Sequence, residues 1–186
     1  MVNVSKQDTV SKKYFQDNER FADLFNFFLY GGENVISPNH LKDLDTTQIA
    51  VPFGSDQKSV PIQKYRDLLK VLEAKSDENF TYLLLAAELQ TKQHYAMPVR
   101  NMLYDAIQYS NQVEKISKRH KERGDSTKDS DEFLSGFYKT DKLTPVITLV
   151  VYLGAEHWDA PRSLHEMLML DNTELLKFIP DYNLNP

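Results

Sequence analysis

The sequence predicts an α/β domain, a mixed sheet flanked by helices. Three stretches carry that prediction. Residues 82–90, YLLLAAELQ, are an apolar run ending in Glu88 and Gln90 at alternate positions. After Met97-Pro98, apolar residues recur at helical spacing to about Ile116. Residues 143–153, LTPVITLVVYL, are β-branched and uncharged, as a central strand requires. Strand, helix and strand, preceded by a helix and weaker strands, give layered α/β architecture.

Taken in order, residues 1–13 are polar and expected to be a flexible arm ahead of one domain spanning 14–186. From there to Tyr30 the pattern is helical. Phe21, Leu24, Phe25, Phe28 and Leu29 form one apolar stripe, with Glu19, Asp23 and Asn26 on another side. Gly31-Gly32 terminates this helix. Leu41, Leu44 and Asp45 suggest a short helical piece. Gln48–Phe53 reads as an edge strand, since Pro52 suits an edge, and Gly54–Gln57 as a turn. Tyr65–Ala74 is read as a strand, joined through the polar linker Lys75–Asn79 to the strand at 82–90 in an antiparallel hairpin. The polar run from Lys115 to Glu132 reads as a helix end entering a mobile loop. Asp159, Pro161 and Ser163-x-x-Glu166 are cap signals for a helix through Leu168, and Phe178–Pro186 reads as loop with no terminal element to anchor it.

A chain of 186 residues is long enough for one domain with a substantial core. Its 41% hydrophobic and 26% charged residues, with ten Tyr and ten Phe, describe a globular protein. The absence of cysteine excludes disulfides, thiolate zinc sites and cysteine nucleophiles, and fits a reducing, cytoplasmic setting. Any metal site must use oxygen or His ligands, which favours Mg2+ or Mn2+. No run reaches the roughly 18 apolar residues that span a membrane, so no membrane partner is expected. The net charge of −5 argues against nucleic-acid binding by bulk charge, though not against a local basic patch. No phosphate-loop, G-x-S-x-G or H-E-x-x-H pattern is present.

Chemistry-bearing residues gather around the hairpin. Asp67 belongs to its first strand, Glu88 and Gln90 to its second, and residues two apart on a strand share a face. Carboxylates on neighbouring strands can hold a divalent cation, which lowers the pKa of a bound water and stabilises charge on a phosphoryl oxygen. They are equally ordinary charged strand ends. Lys92 continues the alternation and, like Gln90, could orient a water. Arg100, Tyr104 and Gln108 make a polar row on the following helix, either solvated or facing phosphates. His94 is open to roles as general base, phosphate contact or ligand, against the commoner role of a hydrogen-bonded surface residue. The basic residues between Glu114 and Asp129 are interleaved with acids, so a solvated loop competes with a DNA clamp.

The composite of ERFADLFN, YRDLL, ELQTKQHYAMPVRNMLYDAIQY, PVITLVVYLG and W-D-x-P-R-S-L resembles the PD-(D/E)XK nuclease superfamily, in its branch of recombination-promoting nucleases and transposase-like proteins. The resemblance implies a restriction-endonuclease-like αβββαβ core and Mg2+-dependent hydrolysis of DNA phosphodiesters. It implies metal binding by Asp67 and Glu88, with Glu19 as an extra carboxylate on the first helix. Gln90 stands where the superfamily has Lys, with Lys92 as a displaced lysine. His94, Arg100 and Tyr104 match positions along the phosphate path. Arg66, rather than Pro, precedes Asp67, so the "PD" half is absent. Relatives extend further at the C-terminus, which leads us to expect a shortened chain.

The expected function is therefore a Mg2+- or Mn2+-dependent DNA endonuclease tied to mobile-element recombination. The alternative is a catalytically weak or inactive DNA- or partner-binding module of the same fold. Many nucleases of this fold cut as homodimers, but no residue here argues for one directly.

Overall fold

A computed structural model describes residues 6–50, 62–76, 79–124, 130–170 and 173–185. Helices α1 (Lys6–Gln16) and α2 (Asn18–Tyr30) come first, followed by strands β1 (Leu41–Asp43), β2 (Thr47–Ala50), β3 (Ile62–Tyr65), β4 (Leu68–Ser76) and β5 (Asn79–Gln90). Then come helix α3 (Met97–Arg123), the short helix α4 (Ser130–Ser135) and strand β6 (Val146–Tyr152). Four strands form one sheet in the order β1-β4-β5-β6, and β2 pairs with β3 beside it. The β1–β4 and β4–β5 pairs are antiparallel, whereas β5 and β6 are parallel, with α3 in the crossover between them. This is the predicted mixed sheet flanked by helices, and it is consistent with an αβββαβ core.

The two faces of the sheet carry different loads. Leu68, Leu72, Leu85, Ala87, Leu89 and Leu149 meet Phe21, Ala22 and Phe25 of α2 in the main core. The alternate residues, including Leu84, Ala86, Glu88, Thr148 and Val150, face α3. Strand periodicity thus buries Leu89 on one side and Glu88 on the other.

Several expectations are corrected. The segment read as a polar arm is helical from Lys6 onward. One N-terminal helix is instead two, because Asp17 accepts hydrogen bonds from the N–H groups of Glu19 (3.1 Å) and Arg20 (3.2 Å) and restarts the helix as an N-cap. Gly31, at φ 61°, closes α2 in the left-handed region that glycine tolerates. Leu41–Asp43 is a strand rather than a helical piece, fixed by its register Leu41↔Leu72 against β4. The edge strand expected over 48–53 is seen as β2, and residues 51–61 lie outside the described residues, as does the expected turn at 54–57. The strand expected over 65–74 is interrupted at Arg66-Asp67, which form a bend ahead of β4.

Further along, α3 runs beyond the expected end to Arg123, because its Lys, Arg and Glu residues are good helix formers. Residues 125–129 of the expected loop lie outside the described residues. The helix expected after Ser163 is only a 3-10 turn, His165–Met167. Leu168, at ψ 138°, ends it, and the turn's first donors, which any helix start leaves free, bond the C-terminal segment. Leu164 N–H bonds Tyr182 O (3.0 Å) and His165 N–H bonds Asp181 Oδ1 (2.9 Å). That same segment is anchored after all. Asn185 O accepts from Val150 N–H (2.9 Å), Asn185 Nδ2 donates to Thr148 O (3.1 Å), and Leu184 is buried with Met97 and Val150.

Candidate active site

The site is built where β4 begins and β5 runs on past it. The last β4–β5 pair is Leu68↔Ala87. One residue earlier in the chain, Asp67 turns its carboxylate to the extended strand, and Oδ2 accepts the Leu89 N–H at 2.9 Å. A side-chain oxygen thus satisfies a backbone donor that the shorter neighbour strand leaves over.

Next to this contact, Glu88 points beneath α3 and is 0% exposed. Among the described residues, neither of its carboxylate oxygens has a hydrogen-bond partner. Arg100 Nη2 lies 3.3 Å from Oε2, close enough to pair by charge but not aligned as a hydrogen bond. Burial, and after it the charge of Asp67, push the Glu88 carboxyl up to about 8, against the pull of Arg100 and Arg66. The Asp67 and Glu88 carboxylates thus lie close together, the first accepting the Leu89 N–H and the second buried beside the Arg100 guanidinium.

Arg100 is held in turn by α3. Its Nε donates to the Tyr104 hydroxyl at 3.1 Å, so the two act as one unit across a helical turn. Both line a cleft of about 410 Å3 with His94, Val99 and Leu103. His94 Nδ1 is buried there and has no hydrogen-bond partner among the described residues. The first turn of α3 has no side-chain cap, but Met97 N–H bonds His94 O (3.0 Å) and Pro98 has no N–H, so that helix end offers an anion its dipole rather than a set of free donors.

The other predicted residues are placed differently. Gln90 shares the Glu88 face at the end of β5 and is half-buried. Lys92 lies past the strand and is exposed. Gln108 lines a separate cleft farther along α3. Glu19 is not brought to the pair. It is exposed on the first turn of α2, the helix packed on the opposite face of the sheet. Asp67 lies in the bend before β4, not within the strand.

Sequence reasoning missed a buried cluster directly behind these residues. Arg66 is 1% exposed, its Nη1 donates to Thr148 Oγ1 at 2.7 Å, and its Nη2 pairs with Asp105. Asp105 also accepts from Thr148 Oγ1 (2.7 Å) and the Tyr182 hydroxyl (2.5 Å). Burial, then the Asp105 charge, hold the Tyr182 proton firmly in place. A signal existed: Asn101 and Asp105 sit four apart on the sheet-facing side of α3, where an amphipathic helix should be apolar.

Among the described residues, no group of three or more His, Cys, Asp or Glu is placed to hold a metal ion. The chain offers two carboxylates, the number that suffices for Mg2+ when waters and substrate phosphates complete its shell.

A family model described as "Putative transposase, YhgA-like" matches residues 5–185. The chain belongs to this family. The match spans both carboxylates, α3 and the anchored C-terminal segment, so the family description applies to the whole αβββαβ body rather than to one motif. No curated protein and no solved structure matches the chain. No helix among the described residues is long and apolar enough to cross a membrane.

Proposed function

We propose that the chain is a metal-dependent DNA endonuclease of the PD-(D/E)XK type, acting in the transposition or recombination of mobile elements. The observation that carries this reading is the unsatisfied Glu88 carboxylate, buried beside Asp67 and facing Arg100. Oxygen ligands of this kind fit a hard divalent ion. Asp67 and Glu88 would hold Mg2+ or Mn2+, which when bound supplies an acidified water and charge stabilisation at a phosphoryl oxygen.

The chain's own residues do the positioning. Arg100, fixed by Tyr104, presents a guanidinium fork suited to a phosphate. The uncapped start of α3 adds its partial positive charge, and His94 borders the same cleft. Gln90, on the Glu88 face, orients a water by hydrogen bonding but brings no positive charge. That neutrality is the observation behind a second reading, in which the site binds DNA and cleaves it slowly or not at all.

Supercoiled plasmid separates the two. With Mg2+ or Mn2+ the wild type should nick it, EDTA should stop the reaction, and Asp67→Ala and Glu88→Ala should each lower the rate by at least about 100-fold, as expected when a positioned metal ligand is lost. Nicking that survives both substitutions would sink the assignment. DNA retention without nicking would favour the binding module.

A further inference from the structure

Arg66 stands where the resemblance led us to look for proline, and its surroundings give it a task. Its backbone N–H donates to Thr46 O at 3.0 Å, which pins the bend from outside. Its guanidinium runs inward, fully buried, to Thr148 on β6 and Asp105 on α3. Its Cζ also lies 5.2 Å from the centroid of the Tyr104 ring, and Tyr104 accepts from Arg100. The residue next in the chain is Asp67. A side chain clamped to two other elements leaves its neighbour little freedom, as proline does by a different route.

Asp105 is the hub of this clamp. One carboxylate oxygen takes Arg66 and Thr148, and the other takes the Tyr182 hydroxyl. With both oxygens occupied, Asp105 is not placed to be a metal ligand. Tyr182 belongs to the C-terminal segment, which is itself bonded to β6 through Asn185. Bend, helix, strand and C-terminal segment thus meet at one buried carboxylate.

We propose that Arg66 is a positioning residue for the Asp67–Glu88 pair, and that Tyr182, through Asp105, makes the C-terminal segment part of the same site. The inference deepens the nuclease reading and rests on it for its metal arm. Arg66 Nε has no hydrogen-bond partner among the described residues, but Nη1 and Nη2 are both engaged, and removing one partner from such a buried charged network loosens what it orients.

The test needs a local readout that does not depend on cleavage. The Leu89 amide provides it, because its hydrogen bond ends on Asp67. Hydrogen exchange by NMR and Mn2+ affinity by calorimetry are measured on wild type, Arg66→Lys, Tyr182→Phe and Asn26→Ala. The last is a control on the opposite face, where Asn26 accepts from Ile36 N–H at 2.7 Å and only stability is at stake.

Arg66→Lys should weaken Mn2+ binding about 10- to 100-fold, the usual range for loss of a group that orients ligands. It should also speed Leu89 exchange relative to the Leu84 and Leu85 amides. Tyr182→Phe should shift both in the same direction by a smaller factor. Asn26→Ala should lower the melting temperature and change neither. Should Arg66→Lys fail to fold, Tyr182→Phe decides alone. The proposal is overturned if the Arg66 and Tyr182 variants lose stability as the control does while Leu89 exchange and Mn2+ affinity stay at wild-type values. If the wild type binds no Mn2+, the nuclease reading fails by itself, and Leu89 exchange still decides the positioning role.

Discussion

Replacing Glu88 by Gln should stabilise the metal-free protein at pH 8 by about 3 kcal/mol. The carboxyl is fully buried, and its folded-state pKa is raised from 4.5 to about 8 by burial first and Asp67 second. Between those values the unfolded chain has released the proton while the folded chain keeps it. The unfolded state therefore binds fewer protons, and stability falls as pH rises from about 4.5 to about 8, then levels off. The full excursion is at most about 5 kcal/mol for such a shift. Glu88→Gln carries no titrating group, so its stability should lack this slope. Some of the gain is offset because Arg100 loses the partner 3.3 Å away. Thermal melts in EDTA from pH 5 to pH 8.5 check this. The wild type should lose ground to the variant as pH rises, and saturating Mg2+ should reverse the order by stabilising the wild type alone. Parallel curves would show that Glu88 is not held as described.

Replacing Lys70 by Met should cost about 3 kcal/mol, with a melting temperature lower by about 6–12 °C for a chain of this size. Lys70 is 0% exposed within β4, on the α2 face of the sheet. Its ammonium donates to Gln16 O and Asn18 Oδ1, both at 2.6 Å, and pairs with Asp43 at 2.8 Å. One charge therefore ties the α1–α2 junction and β1 to the centre of the sheet. Met fills the volume but leaves the Gln16 carbonyl and the Asn18 amide oxygen unsatisfied, while Asp43, which is largely exposed, returns to water. The loss should be similar with and without Mn2+, since Lys70 and Glu88 lie on opposite faces. Denaturant melts under both conditions measure it, and a metal-dependent difference would contradict the separation of the faces.

Both expected effects arise from charges whose surroundings are assembled from distant parts of the chain, and this marks the limit of what the sequence discloses. The β5–α3–β6 unit was legible because its signals are local: an apolar run, a helical repeat, and a β-branched run. Glu88 was legible as a charge ending an apolar strand. The break at Asp17 was also written locally, in an Asp-Asn-Glu cap inside a helical stripe, although the stripe alone suggested continuity. Lys70 and Arg66 carry no such mark. Each looks like an ordinary surface residue in YRDLLK until the fold supplies partners, Asn18 in one case and Asp105 and Thr148 in the other. The 3-10 turn at His165 illustrates the converse. Its cap signals are real, with Glu166 N–H on Ser163 Oγ at 3.3 Å, but the backbone turns extended at Leu168 and stops the helix after one turn. Glu19 matched a family position by sequence, yet α2 carries it on the face away from Glu88.

As proposed, Asp67 and Glu88 together form a divalent-cation site. Mn2+ titration monitored by electron paramagnetic resonance tests it without reference to any substrate. About one Mn2+ per chain should bind, displaced by excess Mg2+, with that binding lost in Asp67→Ala and in Glu88→Ala alike. Equal Mn2+ binding by the wild type and both variants would contradict it.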